Sequence, residues 1–176
     1  TIDYGVLSSY VMPLLLLPGF FSLSISNYLL PNLSSLISQK EYNKSKKLFN
    51  KTILLSLFIG LFFSLIFFFF GDKIIQIIYQ VDYGKKEIKL LSIPFIIYYI
   101  EAPVNVSMHA INQSKIAFKS SLLSSFVRLS LLIFLVKYFN VFAVSIATLS
   151  SCYLDVIINY LIIQSFFKRN NKKSIN

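Results

Sequence analysis

This sequence of 176 residues holds one cysteine, one histidine, no tryptophan, five glycines and seven acidic residues against seventeen basic ones. Each shortage excludes something. Cys152 alone cannot form an internal disulfide, and with His109 it leaves no Cys/His set at zinc-ligand spacing. No glycine-rich phosphate loop and no nucleophile–base pair can be assembled, so neither an enzyme nor a metal or other cofactor is expected. Charge itself is scarce: 14% of residues are charged, where a soluble domain carries about 25%. The net charge of +10 could suggest nucleic acid. However, the lysines fall between apolar runs rather than along one face with interleaved aromatics, so no nucleic-acid partner is expected.

What is present is apolar: 56% of residues are hydrophobic, with eighteen Phe and eleven Tyr. Thr52 to Gly71 runs twenty residues without a charge. As a helix it would span about 30 Å, the thickness of a bilayer's hydrocarbon core. Five lysines and one glutamate lie just before it, from Lys40 to Lys51, which places the Thr52 end on the cytoplasmic side. The lipid bilayer is therefore the first partner, and the fold expected is an all-α polytopic membrane helix bundle of about five transmembrane helices. The spans are read at about 5–30, 52–71, 90–111, 116–136 and 141–167, followed by a basic cytoplasmic tail, 168–176, expected to be disordered. Short interfacial helices are expected at 39–51 and 74–79. Pro13, Pro18 and Pro31 punctuate the first span, with Pro18-Gly19 the expected bend, and Pro94 and Pro103 fall inside the third. Counted by side, eleven basic residues fall in the cytoplasmic segments and five in the external ones, which puts the N-terminal end outside and the C-terminal tail inside. The chain opens at Thr1 without an initiator Met or signal-peptide pattern and is read as a segment of a longer polypeptide.

Three ionisable residues fall deep inside consecutive spans: Glu101, Arg128 and Asp155. An unpaired charge at mid-bilayer costs about 3 kcal/mol on insertion scales, so each must face protein or a wet cavity. Arg128 lies about 13 Å into the bilayer from the Lys119 end and is the natural partner for either acid. Polar residues share faces at a spacing of four: Glu101, Asn105 and His109; Ser120, Ser124 and Arg128; Ala143, Ala147, Ser151, Asp155 and Asn159. Asn27, with Ser22, Ser24 and Ser26, gives the first span a polar side. The candidate substrate or ion path is Glu101, Asn105, Arg128, Asp155, Asn159 and Asn27. The competing reading of the same residues is a structural ion pair joining three helices, with the alanines and serines serving close helix contact. His109 reads better as an interfacial histidine than as a ligand.

The run Tyr4-Gly5-Val6-Leu7-Ser8, then Pro13-Leu14-Leu15-Leu16-Leu17-Pro18, then Tyr28-Leu29-Leu30-Pro31-Asn32-Leu33-Ser34 and a lysine-rich loop resembles the second-lobe opening of polysaccharide flippases. These belong to the multidrug/oligosaccharidyl-lipid/polysaccharide exporter superfamily, which includes the stage V sporulation protein B group. The stretch Asn105 to Lys119 is similar to that family's loop after a span. There Met108-His109-Ala110-Ile111-Asn112-Gln113-Ser114-Lys115 stands without the usual glycines. A basic residue in the next span, here Arg128, is also familiar. The resemblance implies a two-lobed transporter of which these spans form most of the second lobe, with the missing first lobe of the same polypeptide as partner. It implies a lipid-linked oligosaccharide as substrate, moved by alternating access for cell-surface polysaccharide synthesis, with Arg128 attracting a pyrophosphate or acidic sugar. A cation-coupled multidrug efflux transporter, with Asp155 or Glu101 as ion site, and a non-transporting membrane scaffold subunit are the alternatives.

Overall fold

The computed structural model describes residues 5–139 and 142–173 of the chain, without the side chains of 172 and 173. Asp3, the Asn140-Val141 junction and the tail beyond 173 lie outside these residues. All regular structure among the described residues is helical. Helix α1 (Leu7–Leu16) opens with a π turn and is bent 42° from α2 (Gly19–Ser38). Next come α3 (Tyr42–Tyr79) and the short α4 (Lys85–Ser92), which bends by 53° into α5 (Pro94–Ala110). The chain ends in α6 (Ser114–Phe139) and α7 (Phe142–Lys173). Three of these helices are long and apolar enough to cross a membrane, and five spans result if each bent pair counts as one.

Both bends sit at proline. Pro18 has no N–H to offer Leu14, and the chain tightens there, with the Leu17 amide donating to the Leu14 carbonyl at 3.3 Å. At the second, Pro94 opens a 3₁₀ turn over Pro94–Ile97. Pro31 and Pro103, by contrast, lie within α2 and α5 without breaking them. The serines read as a polar side of α2 mostly serve their own helix. Ser24 Oγ donates to the Phe20 carbonyl and Ser26 Oγ to that of Ser22.

Three expectations are corrected. The 39–51 stretch is not a separate interfacial helix: α3 begins at Tyr42 and carries the lysines unbroken into the apolar run. Nor does that helix stop at Gly71, since it continues through 74–79 to Tyr79 and ends at Gln80 in the left-handed region, φ 55°. Gly71 is needed inside the helix because a Cβ there would stand 2.6 Å from the Ile88 side chain of α4. Finally, the basic tail is not disordered through Lys173, because α7 carries Lys168 to Lys173 as helix. A basic turn bound for the aqueous phase loses nothing by remaining helical, and charge marks the membrane boundary rather than the helix end.

The turns after α2 and α5 are matched. Lys40 (φ 61°) and Asn112 (φ 59°) each take the left-handed conformation, and the next amide reaches back five residues, Glu41 to Leu36 and Gln113 to Met108, both at 2.9 Å. This is the Schellman ending that satisfies orphan carbonyl groups.

The packed interior has two parts. One gathers Leu29, Leu33, Phe49, Val104, Met108 and Phe167; the other gathers Leu7, Leu15, Phe67, Ile88, Phe95 and Tyr99. Tyr99 is wholly buried, and its hydroxyl donates to the Leu15 carbonyl at 2.6 Å, beside the first bend. Gly60 of α3 leaves the space for it: a Cβ at that position would lie 2.8 Å from Tyr99 Cδ2. Ser56 and Ser64, each four residues from Gly60, are buried on the same face, so α3 meets its neighbour through a small-residue seam. The second bend has a similar support, as Tyr153 of α7 donates to the Pro94 carbonyl at 3.2 Å.

Tyr99→Phe in the full-length protein is expected to destabilise it by about 1–3 kcal/mol, because the Leu15 carbonyl is left buried without that donor. Gly60→Ala should displace the same ring, so the double variant should lose less than the two single losses added. Unfolding in detergent checks both; an unchanged midpoint for Tyr99→Phe would mean that the tyrosine does not support the bend.

Candidate functional site

Helices α6 and α7 pack through their small residues. Ala117, Ser120 and Ser124 of α6 are buried, as are Ala143, Ala147, Ser151, Asp155 and Asn159 of α7, the face predicted from the spacing of four. Close approach of the backbones brings short polar side chains within reach of one another. Ser120 Oγ lies 2.8 Å from Asp155 Oδ1, 2.7 Å from Asn159 Oδ1 and 3.0 Å from the Ala117 carbonyl oxygen. Ser121 Oγ donates to Asp155 Oδ1 at 3.3 Å. Toward α5, Asn159 Nδ2 donates to Asn105 Oδ1 at 2.9 Å. Asp155, Ser120, Asn159 and Asn105 thus form one continuous hydrogen-bonded seam across three helices.

Glu101 lies one turn from Asn105 on α5, and the Cys152 thiol of α7 donates to its Oε2 at 3.4 Å. Two openings meet here. One, of about 240 Å³, is lined by Tyr98, Glu101, Ser121, Ser125, Arg128 and Asp155. The other, of about 460 Å³, lies between α2 and α5 and is lined by Gly19, Ser22, Leu23, Tyr98, Glu101 and Asn105. Tyr98 and Glu101 border both.

The sequence-predicted residues therefore divide. Asn105, Asp155 and Asn159 come together in the seam, and Glu101 lies beside it, bonded to Cys152. Arg128 reaches the smaller opening, but of the pair expected of it, directly or through water, the direct form is not made: it has no carboxylate within 4.0 Å among the described residues, and its side chain is exposed. A guanidinium beside the opening has room to remain solvated there, so it need not close onto either acid. Asn27 is exposed on α2, one turn beyond Leu23 and outside the lining of either opening. His109 is likewise apart, its Nδ1 2.9 Å from Ser114 Oγ at the turn into α6. Cys152, noted from sequence only as a lone cysteine, proves to be a partner of Glu101. Its position three residues before Asp155, on the same helical face, was the available signal. Ser120 was visible as one of a row of serines but not as the bridge it is. No group of three or more His, Cys, Asp or Glu side chains that could hold a metal occurs among the described residues.

Helices broken at proline, re-satisfied by neighbouring side chains and flanking polar openings at membrane depth, define a polytopic helical membrane protein with discontinuous spans. The family follows from comparison: residues 5–175 match the lipid II flippase MurJ family, and the chain belongs to it. It is similar to the stage V sporulation protein B of Bacillus subtilis (strain 168), with 29% identity over 132 residues, 75% of this chain and 26% of that protein. It is also similar to the capsular polysaccharide biosynthesis protein CapF of Staphylococcus aureus, with 23% identity over 167 residues, 94% of this chain and 41% of that protein. The chain thus spans less than half the length of either relative. No solved structure matches.

Ser120→Ala in the full-length protein is expected to cost about 1–3 kcal/mol, since Asp155 and Asn159 lose a shared buried partner. Ser125→Ala, at an exposed position of the same helix, should stay within about 0.5 kcal/mol. Denaturant midpoints compare the two; equal effects would mean that the seam adds nothing to stability.

Proposed function

We propose that this chain forms most of the second lobe of a flippase. The whole protein moves a lipid-linked oligosaccharide across the cytoplasmic membrane for cell-surface polysaccharide synthesis, by alternating access. The first lobe of the same polypeptide closes the cavity on which Glu101, Asn105, Arg128 and Asp155 border. The observation that carries this reading is Arg128, an exposed guanidinium without an ion pair among the described residues, facing a polar opening within an apolar bundle. A cation held at membrane depth without a structural partner suits recognition of an anionic group such as a pyrophosphate or an acidic sugar. Membership of the lipid II flippase MurJ family and similarity to a capsular polysaccharide biosynthesis protein support a lipid-linked glycan as the cargo.

Cation-coupled efflux is the second reading, favoured by one observation: two acids, Glu101 and Asp155, border the same opening. A scaffold role fits less well, since it would have the polar residues sealed between helices, whereas two openings reach them. The lysine distribution supports an orientation with the Tyr42 end of α3 and the C-terminal end of α7 in the cytoplasm.

Arg128→Ala in the full-length protein should abolish most transport of the glycan lipid while stability stays within about 0.5 kcal/mol, because the side chain is exposed and unpaired. Undiminished transport would remove Arg128 from the path. Orientation and cavity are tested together by labelling single cysteines with a membrane-impermeant reagent. Ser45, although in the basic segment, is buried and unsuitable, whereas Lys47 and Tyr83 are exposed. Lys47→Cys should label only from the cytoplasmic side and Tyr83→Cys only from outside. Asn105→Cys should react where Ile100→Cys, in the core, does not; the reverse pattern would make the seam a sealed structural contact.

A further inference from the structure

The seam contains an imbalance of protons. Ser120 has one hydroxyl hydrogen, yet its Oγ stands 2.8 Å from Asp155 Oδ1, 2.7 Å from Asn159 Oδ1 and 3.0 Å from the Ala117 carbonyl oxygen, all acceptors if Asp155 is ionised and the amide keeps this orientation. Two arrangements that keep Ser120 bonded to both side chains resolve the conflict on the same heavy-atom positions. In the first, Asp155 is protonated and donates to Ser120 Oγ, Ser120 donates to Asn159 Oδ1, and Asn159 Nδ2 donates to Asn105 Oδ1. In the second, Asp155 is ionised and accepts from Ser120. The Asn159 amide is then turned over, so that Nδ2 donates to Ser120 Oγ, and its Oδ1 accepts from a likewise turned Asn105. The only covalent bond that changes is the O–H bond of the Asp155 carboxyl. One proton enters or leaves at Asp155, and each link of the chain reverses its direction.

The two ends of this chain open on different spaces. Asp155 borders the opening of about 240 Å³, and Asn105 borders the opening of about 460 Å³ between α2 and α5. Asn159, which joins them, has no exposed surface and so has no solvent with which to repair a mismatched link. We infer that Asn159 is a positioning residue that couples the protonation of Asp155 to the hydrogen-bonding character of Asn105. With Asp155 protonated, Asn105 turns its NH₂ group to the larger opening and favours an acceptor, such as a phosphate or carboxylate oxygen. With Asp155 ionised, it turns its carbonyl there and favours a donor, such as a sugar hydroxyl. The titratable and charged groups that border the opening with Asp155 are Tyr98 and Glu101 of α5, Arg128 of α6 and Cys152 of α7. Glu101 also borders the larger opening but lies outside the chain of links, its carboxylate being held by Cys152. Coupling of this kind is reciprocal, so a ligand group that orders Asn105 also biases the proton on Asp155.

The test is pH-difference infrared spectroscopy on the full-length protein in lipid, with asparagine carrying ¹³C in its side-chain carbonyl. The expected result is a carboxyl band that appears as pH falls, is absent from Asp155→Asn, and rises with the same midpoint as a shift in the asparagine side-chain band. In Asn159→Leu, and independently in Ser120→Ala, the carboxyl titration should persist and the asparagine shift should be lost. The inference is overturned if no carboxyl band belongs to Asp155, if the asparagine band does not move with it, or if the shift survives both variants. Co-titration in the unaltered protein is required in every case, so a variant that fails to fold does not shelter the idea. The measurement needs no substrate, and its failure would leave the transport reading standing.

Discussion

A helix that breaks inside a bilayer must find partners within the protein for the backbone groups it releases, because hydrocarbon offers none. This constraint organises the bundle. The bends at Pro18-Gly19 and at Pro94 occur where another helix delivers a tyrosine hydroxyl to a carbonyl, Tyr99 to Leu15 and Tyr153 to Pro94. Tyr99 can reach its acceptor only because Gly60 clears its path. Sequence features as far apart as Leu15, Gly60 and Tyr99 therefore belong to a single contact. The buried Tyr99 hydroxyl thus has a use that an aliphatic side chain of the same size could not supply.

The same rule governs the polar seam. In lipid there is no hydrophobic gain from bringing helices together, so close packing of small residues and hydrogen bonds between helices must do it. The α6–α7 contact uses both: alanines and serines bring the axes close, and that closeness allows side chains as short as Ser120 and Asp155 to bond directly. Lengthening any small residue on this face would separate the bonded pairs, so packing and polarity here are one design rather than two.

The helical class and the bend at Pro18-Gly19 were legible from the chain, because uncharged length and prolines are local signals, whereas nothing local told the bend at Pro94 from the unbroken helix at Pro103. The face of α7 was legible for a similar reason, since a spacing of four survives whatever the tertiary contacts are. Helix ends were misjudged where charge was taken as a break. Lysines stop a span but not a helix, which is why α3 runs from Tyr42 to Tyr79 and α7 reaches Lys173. Partners were the least legible feature. Opposite sign and shared depth suggested Arg128 with Asp155, yet Asp155 takes serine hydroxyls and Glu101 takes a thiol. Depth along a helix is encoded in sequence number, whereas the rotation that brings one side chain to another depends on packing. Asn27 illustrates the same limit, because Ser24 and Ser26 beside it on α2 turned their hydroxyls to their own backbone.

The charges around the smaller opening follow from this division. Arg128 is a guanidinium with solvent access and no fixed partner, whereas the two acids are held by neutral donors that neither cancel nor strongly fix their charge. A direct Arg128–Asp155 pair would have satisfied the site electrostatically and closed it, since breaking a buried pair leaves an uncompensated charge at a cost of about 3–5 kcal/mol. Neutral donors avoid that lock. A serine hydroxyl can give its proton to a carboxylate or accept one from a carboxylic acid, so it is a partner that does not depend on charge. With the acids supported in this way, neither needs Arg128 as a partner. The separation of the basic group from the acidic ones leaves Arg128 without a carboxylate partner among the described residues and each acid with a neutral donor.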